Sequence, residues 1–155
     1  MNSPPFGARR FHLRVAAVVL EQDQVLLHRL ERDDFWALPG GRVEVGELAK
    51  HAILREFLEE LNVEVRCDHL LGVGENFFEH EGEPYHEIGL YFSVALSTEA
   101  AVRAKDKTHI GVEGNRRLEF KWFAVSQLAA INFQPKTLRE SLSVGQFPQH
   151  FVQRC

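Results

Sequence analysis

The segment GRVEVGELAKHAILREFLEELNV, residues 41–63, decides how the rest of this sequence is interpreted. Residues 47–61 contain no Pro and no Gly and are rich in Glu, Leu, Ala, Lys and Arg, which predicts a helix. In a helix, Glu56, Glu59 and Glu60 stand at i, i+3 and i+4, so their side chains share an arc of roughly 100°. Like charges at these spacings cost about a few tenths of a kcal/mol per pair. A bound cation would offset that cost.

Two interpretations of this acidic cluster are open from charge patterning. Carboxylates on one side of a helix are most often a solvated surface. The alternative is a site for a hard divalent cation, because Mg²⁺ prefers carboxylate and water oxygens and commonly binds through a few carboxylates together with substrate phosphates. The spacing of the residues around the cluster favours the second interpretation.

The segment resembles the Nudix box, which is Gly, five residues, Glu, seven residues, and then Arg-Glu-apolar-x-Glu-Glu-x-Gly-apolar. The matching residues here are Gly41, Glu47, Arg55, Glu56, Phe57, Glu59, Glu60 and Val63. Asn62 stands where the family usually has Gly. Asn is the next best residue for a left-handed helix C-cap, so we expect the backbone turn to be kept.

The resemblance covers residues 12 to 142 and implies the Nudix α/β/α sandwich, an α/β fold with a mixed β-sheet between helices. It also implies a pyrophosphohydrolase that cleaves a nucleoside diphosphate linked to another moiety, with Mg²⁺ or Mn²⁺. By position, Glu56, Glu59 and Glu60 are the expected metal carboxylates, and the Gly41 carbonyl is a further candidate ligand.

The same resemblance gives supporting and catalytic roles to other residues. Arg55 can hold Glu59 through i, i+4 geometry or reach Glu47, which would orient the metal ligands; the alternative is an ordinary surface ion pair. The catalytic candidates are Glu56, Glu59 and Arg55. Glu56 or Glu59 is a candidate general base, and so is Glu87 from an adjacent strand.

Candidate substrate contacts are Arg42, Trp36, Phe78 and Glu87, although aromatic residues near strand ends are often core. A nucleoside triphosphate, hydrolysed to monophosphate and pyrophosphate, is the expected substrate. ADP-ribose hydrolases of the family tend to carry a Pro where this chain has Glu79. ADP-ribose and dinucleoside polyphosphates remain alternatives, as does a non-catalytic nucleotide-binding domain.

Length and charge limit the partners of this chain. Its 155 residues predict one domain. The net charge of −4 gives no basic field for a nucleic-acid polymer, so a small-molecule nucleotide is the expected partner. The apolar run at 15–20 is too short to span a membrane. With two cysteines, Cys67 and Cys155, a cytoplasmic location is predicted. A homodimer is left open.

The boundaries and strands follow from local patterns. We expect a flexible leader at 1–9, the Nudix domain at 10–145 and a C-terminal tail at 146–155. The runs at 10–20 and 25–30 are predicted to pair as a hairpin, and those at 63–78 and 85–96 as a longer one. Residues 98–117 are predicted to be an exposed loop, and 118–123 a half-buried strand. Ser126 is expected to cap a short turn, and a second helix to run from Pro135 to Gly145.

Overall fold

Two β-sheets form the middle layer of the protein in the computed structural model, which describes residues 5–6 and 9–154. The strands are β1 (Pro5–Phe6), β2 (Arg9–Val18), β3 (Leu20–Glu21), β4 (Gln24–Leu30), β5 (Gly40–Arg42), β6 (Val65–His80), β7 (Glu83–Leu96), β8 (His109–Glu113), β9 (Arg116–Ala124) and β10 (His150–Arg154). The α-helices are α1 (Ala49–Leu61) and α2 (Leu138–Ser143), and 3₁₀-helices span Ala101–Arg103 and Val125–Ala130.

The two sheets differ in strand direction. The first sheet has the order β1-β2-β7-β6-β10, and β5 also pairs with β2. It is mixed, because β2 runs parallel to β7 and β10 runs parallel to β6, whereas β6 and β7 are antiparallel. The second sheet, β3-β4-β9-β8, is antiparallel throughout.

Alternate residues of the central strand β2 face two separate cores. Val15 and Ala17 pack with Ile53 and Phe57 of α1. Ala16 packs in a second cluster that contains the α2 residues. Both clusters are nearly inaccessible to solvent, which explains why β2 is apolar on both faces. The predicted α/β/α sandwich with a mixed sheet between helices is confirmed.

The acidic helix begins and ends close to the predicted positions. It spans Ala49–Leu61 and is followed by Asn62, whose φ of 54° and ψ of 43° place it in the left-handed region. The Asn62 N–H donates to the carbonyl of Leu58 at 3.0 Å, and the Val63 N–H to that of Phe57 at 3.3 Å. The hydrogen bond from Asn62 to Leu58 is the one that defines the αL type of helix C-cap, so Asn62 performs the role expected of the family's Gly.

The longer predicted hairpin is confirmed, whereas the shorter one is confirmed only next to its turn, where Leu20 pairs with Val25. Strands β6 and β7 pair over nearly their whole length, with Asn76 opposite Glu87. In contrast, β2 and β4 lie in different sheets, and only the short β3 pairs with the start of β4. Residues 15–18 of β2 and 25–27 of β4 are apolar and buried, so their sequences do not specify a partner, and β4 instead pairs with the distant β9.

The segment predicted as an exposed loop is partly structured. Its last residues form β8, which pairs with β9, and the indole of Trp122 donates to the Val102 carbonyl at 2.7 Å. The half-buried strand is confirmed, since Leu118, Phe120 and Trp122 are buried on β9. The predicted cap is wrong: residue Ala124 precedes the 3₁₀-helix, and no side chain caps it.

The ends of the chain differ from a simple leader and tail. The predicted tail contributes β10, which lies beside β6 in the first sheet. The predicted flexible leader falls mostly outside the described residues, although Pro5–Phe6 pairs with the start of β2. The second helix begins at Leu138, later than expected, and Gly145 follows it with a φ of 72°. No helix in the described part of the chain is long and apolar enough to cross a membrane.

Candidate active site

An open cleft of about 1300 Å³ lies where the acidic helix meets the first sheet. Its lining brings together most of the predicted site residues, namely Gly41, Arg42, Arg55, Glu56, Glu59, Glu60, Phe78 and Glu87. Glu47 and Trp36 do not line this cleft. The cleft therefore collects residues from α1, β5, β6 and β7 that are far apart in the sequence.

Arg55 is the hub of the acidic cluster. Its Nε and Nη2 donate to the two carboxylate oxygens of Glu47 at 2.7 and 3.0 Å. Its Nη1 donates to Glu56 at 3.0 Å and to Glu59 at 3.3 Å. Its Nη2 also donates to the Arg42 carbonyl at 3.1 Å, which ties α1 to β5. The hydrogen bond from Arg55 holds the pKa of Glu47 below its usual range.

Glu60 is the buried carboxyl of the cluster, with 6% of its surface exposed. Burial, together with a hydrogen bond to Glu56 and the charge of that residue, raises the pKa of Glu60. Glu59 differs, since its side chain is 59% exposed and points to Arg55. Glu56 and Glu60 therefore lie close enough for Glu56 to disfavour a negative charge on Glu60.

A buried, neutral histidine lies next to Glu60 of this carboxyl pair. His28 Nδ1 lies 3.9 Å from Glu60 Oε1. Burial, and then the charge of Arg14, lowers the pKa of His28 to about 3, so the ring carries no charge near neutral pH. No described residue forms a hydrogen bond with His28 Nδ1, although this nitrogen is buried.

Gly41 lets the strand approach the helix. A Cβ at this position would collide with the Glu56 carboxyl group, so only glycine allows β5 to lie against that side chain. The Arg42 carbonyl next to it is held by Arg55. The backbone of β5 is thus fixed beside the carboxylates.

The donor set fits a hard divalent cation. Within the described residues, no group of three His, Cys, Asp or Glu side chains converges to form a complete metal site. Two carboxyls do converge, Glu56 and Glu60, and burial together with the neighbouring Glu56 raises the pKa of Glu60, so a cation would be needed to stabilise a negative charge on both. Mg²⁺ keeps several waters and commonly binds through one or two carboxylates plus substrate phosphates, so this pair is sufficient.

A second polar group lies deeper in the cleft. Glu87 is 7% exposed, and its two oxygens accept hydrogen bonds from His12 Nε2 at 2.6 Å and from Asn76 Nδ2 at 3.1 Å. Burial would raise the pKa of Glu87, but the hydrogen bond from His12 and the charge of Arg14 hold it below its usual range. Glu87 is therefore an anion, and each of its two oxygens accepts one hydrogen bond from the protein.

The predicted substrate contacts fall into two groups. Phe78 lines the cleft and stacks on Tyr85, with ring centroids 5.3 Å apart. Arg42 lines it as well. Trp36 is 9% exposed and belongs to the second core, where it packs on Phe123 at 4.9 Å and is covered by the Arg29 guanidinium at 4.4 Å. The structure therefore places Trp36 in the second core and not in the lining of the cleft.

Several cleft residues were missed from the sequence: His12, Arg14, His28, Asn76, Tyr91, Gln153 and Arg154. One signal was available. Arg10, His12 and Arg14 alternate with apolar residues at the start of β2, and a period of two places them on one face of the strand. Polar residues on one face of an otherwise buried strand indicate a functional surface.

The fold and the carboxylates together define an α/β/α sandwich with an acidic helix at one wall of an open cleft. The model of the NUDIX domain matches residues 10–142. The chain therefore belongs to the NUDIX domain family.

Individual relatives support this assignment. The chain is 29% identical over 84 residues to the putative ADP-ribose pyrophosphatase YjhB of Bacillus subtilis (strain 168), a match that covers 54% of this chain and 40% of the relative. It is 41% identical over 56 residues to a putative 8-oxo-dGTP diphosphatase of the same organism, covering 36% and 38%. The chain thus spans less than half the length of either relative.

A solved structure agrees with the fold over most of the chain. The MutT NUDIX hydrolase from Burkholderia pseudomallei is 26% identical, with a TM-score of 0.61, and the match covers 86% of this chain and 97% of that one.

Proposed function

We propose that this chain is a Nudix-type pyrophosphohydrolase that cleaves a diphosphate linkage in a nucleoside diphosphate derivative. The observation that carries the proposal is the Arg55 hub, which holds Glu47, Glu56 and Glu59 beside the buried Glu60 at one wall of the cleft. An exposed acidic surface would not require such a network. A non-catalytic nucleotide-binding domain is disfavoured because the full carboxylate set of the box is present.

Nudix hydrolases generally use a divalent metal, and Mg²⁺ or Mn²⁺ is the proposed ion. When bound, such an ion neutralises phosphoryl oxygens and lowers the pKa of a water molecule. Glu56 and Glu60, with Glu59 and the Gly41 carbonyl as further ligands, would hold it. Arg55 acts as a positioning residue, because its guanidinium fixes the carboxylates before the ligand arrives.

The general base is proposed to be Glu56 or Glu59. Glu87 is less suited, since hydrogen bonds from His12 and Asn76 and the charge of Arg14 stabilise its carboxylate and make it a weaker base. Glu59 is the most exposed member of the cluster and faces the open cleft. A proton taken from water at this position can pass directly to solvent.

The proposed substrate is a nucleoside triphosphate, which would yield a monophosphate and pyrophosphate. The box-to-hairpin segment carries Glu79 in place of the Pro that is typical of ADP-ribose hydrolases in the family. One relative is named for 8-oxo-dGTP and another for ADP-ribose, so both classes belong in the test. From the sequence we further propose a cytoplasmic location and a homodimer. We also propose that neither a nucleic-acid polymer nor a membrane is a partner.

The test is a substrate panel in which phosphate is measured after coupling, with inorganic pyrophosphatase for the triphosphates and with a phosphomonoesterase for the other compounds. Nucleoside triphosphates, including oxidised bases, would be compared with ADP-ribose, dinucleoside polyphosphates and nucleotide sugars. We expect triphosphates to have the highest kcat/KM, and Glu59→Gln to abolish turnover while the matched exposed variant Glu99→Gln keeps it. A tenfold preference for ADP-ribose would refute the triphosphate assignment, and the absence of turnover on every compound would refute the activity itself.

A further inference from the structure

A row of polar side chains crosses the floor of the cleft, perpendicular to the strands. In the strand register, His12 on β2 lies opposite Glu87 on β7, Glu87 lies opposite Asn76 on β6, and Asn76 lies opposite Gln153 on β10. All four residues line the cleft. We name these four residues the polar row. Since adjacent strands are about 4.8 Å apart, His12, Glu87 and Asn76 stand at regular intervals, whereas the Gln153 side chain accepts from the Thr137 N–H at 2.7 Å and donates to the Arg154 carbonyl at 3.0 Å.

The polar row contains a hydrogen-bond acceptor to which no described group of the protein donates. Asn76 Nδ2 donates to Glu87 Oε1 at 3.1 Å and lies 3.4 Å from the Tyr91 hydroxyl. Its Oδ1 is buried, yet no described group donates to it. The amide cannot be flipped to satisfy this atom, because Oδ1 would then face the Glu87 carboxylate, which has no proton to give. Buried acceptors are rarely left unpaired, so this one marks a place for a ligand donor.

The charge of the row points to the same chemistry. Glu87 is anionic and each of its oxygens, having accepted one hydrogen bond, keeps a second lone pair. The Glu87 carboxylate and the unpaired Asn76 Oδ1 are neighbouring acceptors. Together they can accept hydrogen bonds from a ligand edge that carries two adjacent N–H donors. Aromatic packing surface is close by, since Tyr85 contacts the His12 ring edge-on at 5.6 Å and stacks on Phe78.

We propose that the polar row is a nucleobase subsite that selects guanine, with Asn76 Oδ1 and Glu87 accepting hydrogen bonds from the base N1–H and N2 amino groups. The inference rests on the proposed function, because it assigns the base of that nucleotide substrate. Among the common bases, only guanine places a ring N–H next to an amino group. Adenine and cytosine pair an amino group with a ring acceptor, and uracil flanks its N–H with two carbonyls.

The test measures binding without chemistry. The full chain, kept in chelator, is titrated with GMP, IMP, 1-methyl-GMP and AMP by isothermal calorimetry. IMP lacks only the N2 amino group, and 1-methyl-GMP lacks only the N1 proton. We expect GMP to bind about tenfold or more tightly than each of the other three, because a hydrogen bond to a charged acceptor contributes about that factor.

A protein variant tests the same contact from the other side. Asn76→Leu removes the unpaired acceptor and should reduce GMP binding to the level of IMP, whereas the matched change Asn115→Leu in the exposed β8–β9 turn should leave the preference intact. The comparison of the four nucleotides uses the unchanged protein, so it remains decisive if the Asn76 variant does not fold. Affinities equal within twofold, no detectable binding of GMP, or an unchanged preference in folded Asn76→Leu would each overturn the subsite.

The outcome separates this inference from the proposed activity. Hydrolysis of GTP, ITP and ATP with equal kcat/KM would leave the pyrophosphohydrolase proposal standing and overturn the guanine subsite. GMP-selective binding in chelator, with no turnover of any diphosphate compound in Mg²⁺ or Mn²⁺, would support the subsite and refute the activity.

Discussion

The guanidinium of Arg55 binds the carboxylate of Glu47 through two parallel hydrogen bonds, from Nε at 2.7 Å and from Nη2 at 3.0 Å. This geometry uses the planar fork of arginine, which lysine cannot reproduce. It leaves Nη1 for Glu56 and Glu59, so one side chain orients three carboxylates.

Replacing Arg55 with Lys should therefore damage activity more than stability. We expect Arg55→Lys to lower kcat by about 10- to 100-fold, the usual effect of losing a group that orients metal ligands. The melting temperature should change by only a few degrees, since the side chain is partly exposed. Steady-state kinetics and thermal unfolding measure the two effects. Arg66→Lys, in the exposed pair with Asp68, is the matched control, and equal activity in both variants would contradict the positioning role.

The carboxylate pair should make the enzyme dependent on a divalent ion. Turnover should vanish in chelator and return with Mg²⁺ or Mn²⁺. Glu60→Gln should lower kcat by about 100-fold or more, as expected when a group that serves the transition-state charge is lost. Without metal, the same variant should melt at an equal or higher temperature, because Gln is neutral already, whereas Glu60 must take up a proton on folding to be buried beside Glu56. Undiminished turnover in chelator would eliminate the metal mechanism.

His28 should make the fold sensitive to acid. Its pKa is about 3 in the folded protein, lowered from the usual 6.5 by burial and then by the charge of Arg14. Below pH 6.5 the unfolded chain binds a proton at this residue and the folded protein does not, so stability falls as the pH decreases towards 3. The loss at pH 5 is roughly 2 kcal/mol relative to pH 7.

Denaturant unfolding at pH 7 and pH 5 checks this prediction. His28→Phe, which keeps a ring beside Phe120, should reduce the difference in unfolding free energy between the two pH values. His69→Phe alters an exposed histidine and should preserve that difference. The same pH dependence in all three proteins would exclude His28 as its source.

Trp36 and Phe78 should respond differently to truncation. Trp36→Ala should cost about 3–5 kcal/mol of stability, because it opens a cavity in the second core. Phe78→Ala should leave the melting temperature closer to that of the unchanged protein and shift kcat/KM between nucleotides with different bases, because this ring lines the cleft. Denaturant unfolding and kinetics with two triphosphates separate the effects. A large change in base preference in a stable Trp36→Ala variant would contradict its structural role.

Long segments with a clear local signal could be predicted from the sequence. Helix α1, the β6–β7 hairpin and β9 have strong composition or periodicity, and the spacing of the box placed Glu56, Glu59 and Glu60 on one helix surface. The family resemblance then supplied the remaining architecture. The pairing of strands that are distant in the sequence could not be predicted. The apolar residues of β2 and β4 do not specify that β2 pairs with β7 and β4 with β9.

The polar row shows why the rest of the site was missed. Asn76 and Gln153 meet only because β10 joins β6 in a particular register. Each residue alone resembles an ordinary polar residue in a strand or tail. Trp36 shows the opposite error, because an aromatic residue in a Gly-containing loop suggested ligand contact, whereas Arg29 and Phe123 bury it.

The position of β10 has a practical consequence for anyone who trims this protein. The NUDIX match ends at residue 142, before this strand begins. A chain cut there would lose Gln153 and Arg154 from the cleft wall and would leave β6 as an unpaired edge of the sheet. Long unpaired edges promote association between molecules, so the shortened protein should aggregate even if its acidic helix still folds.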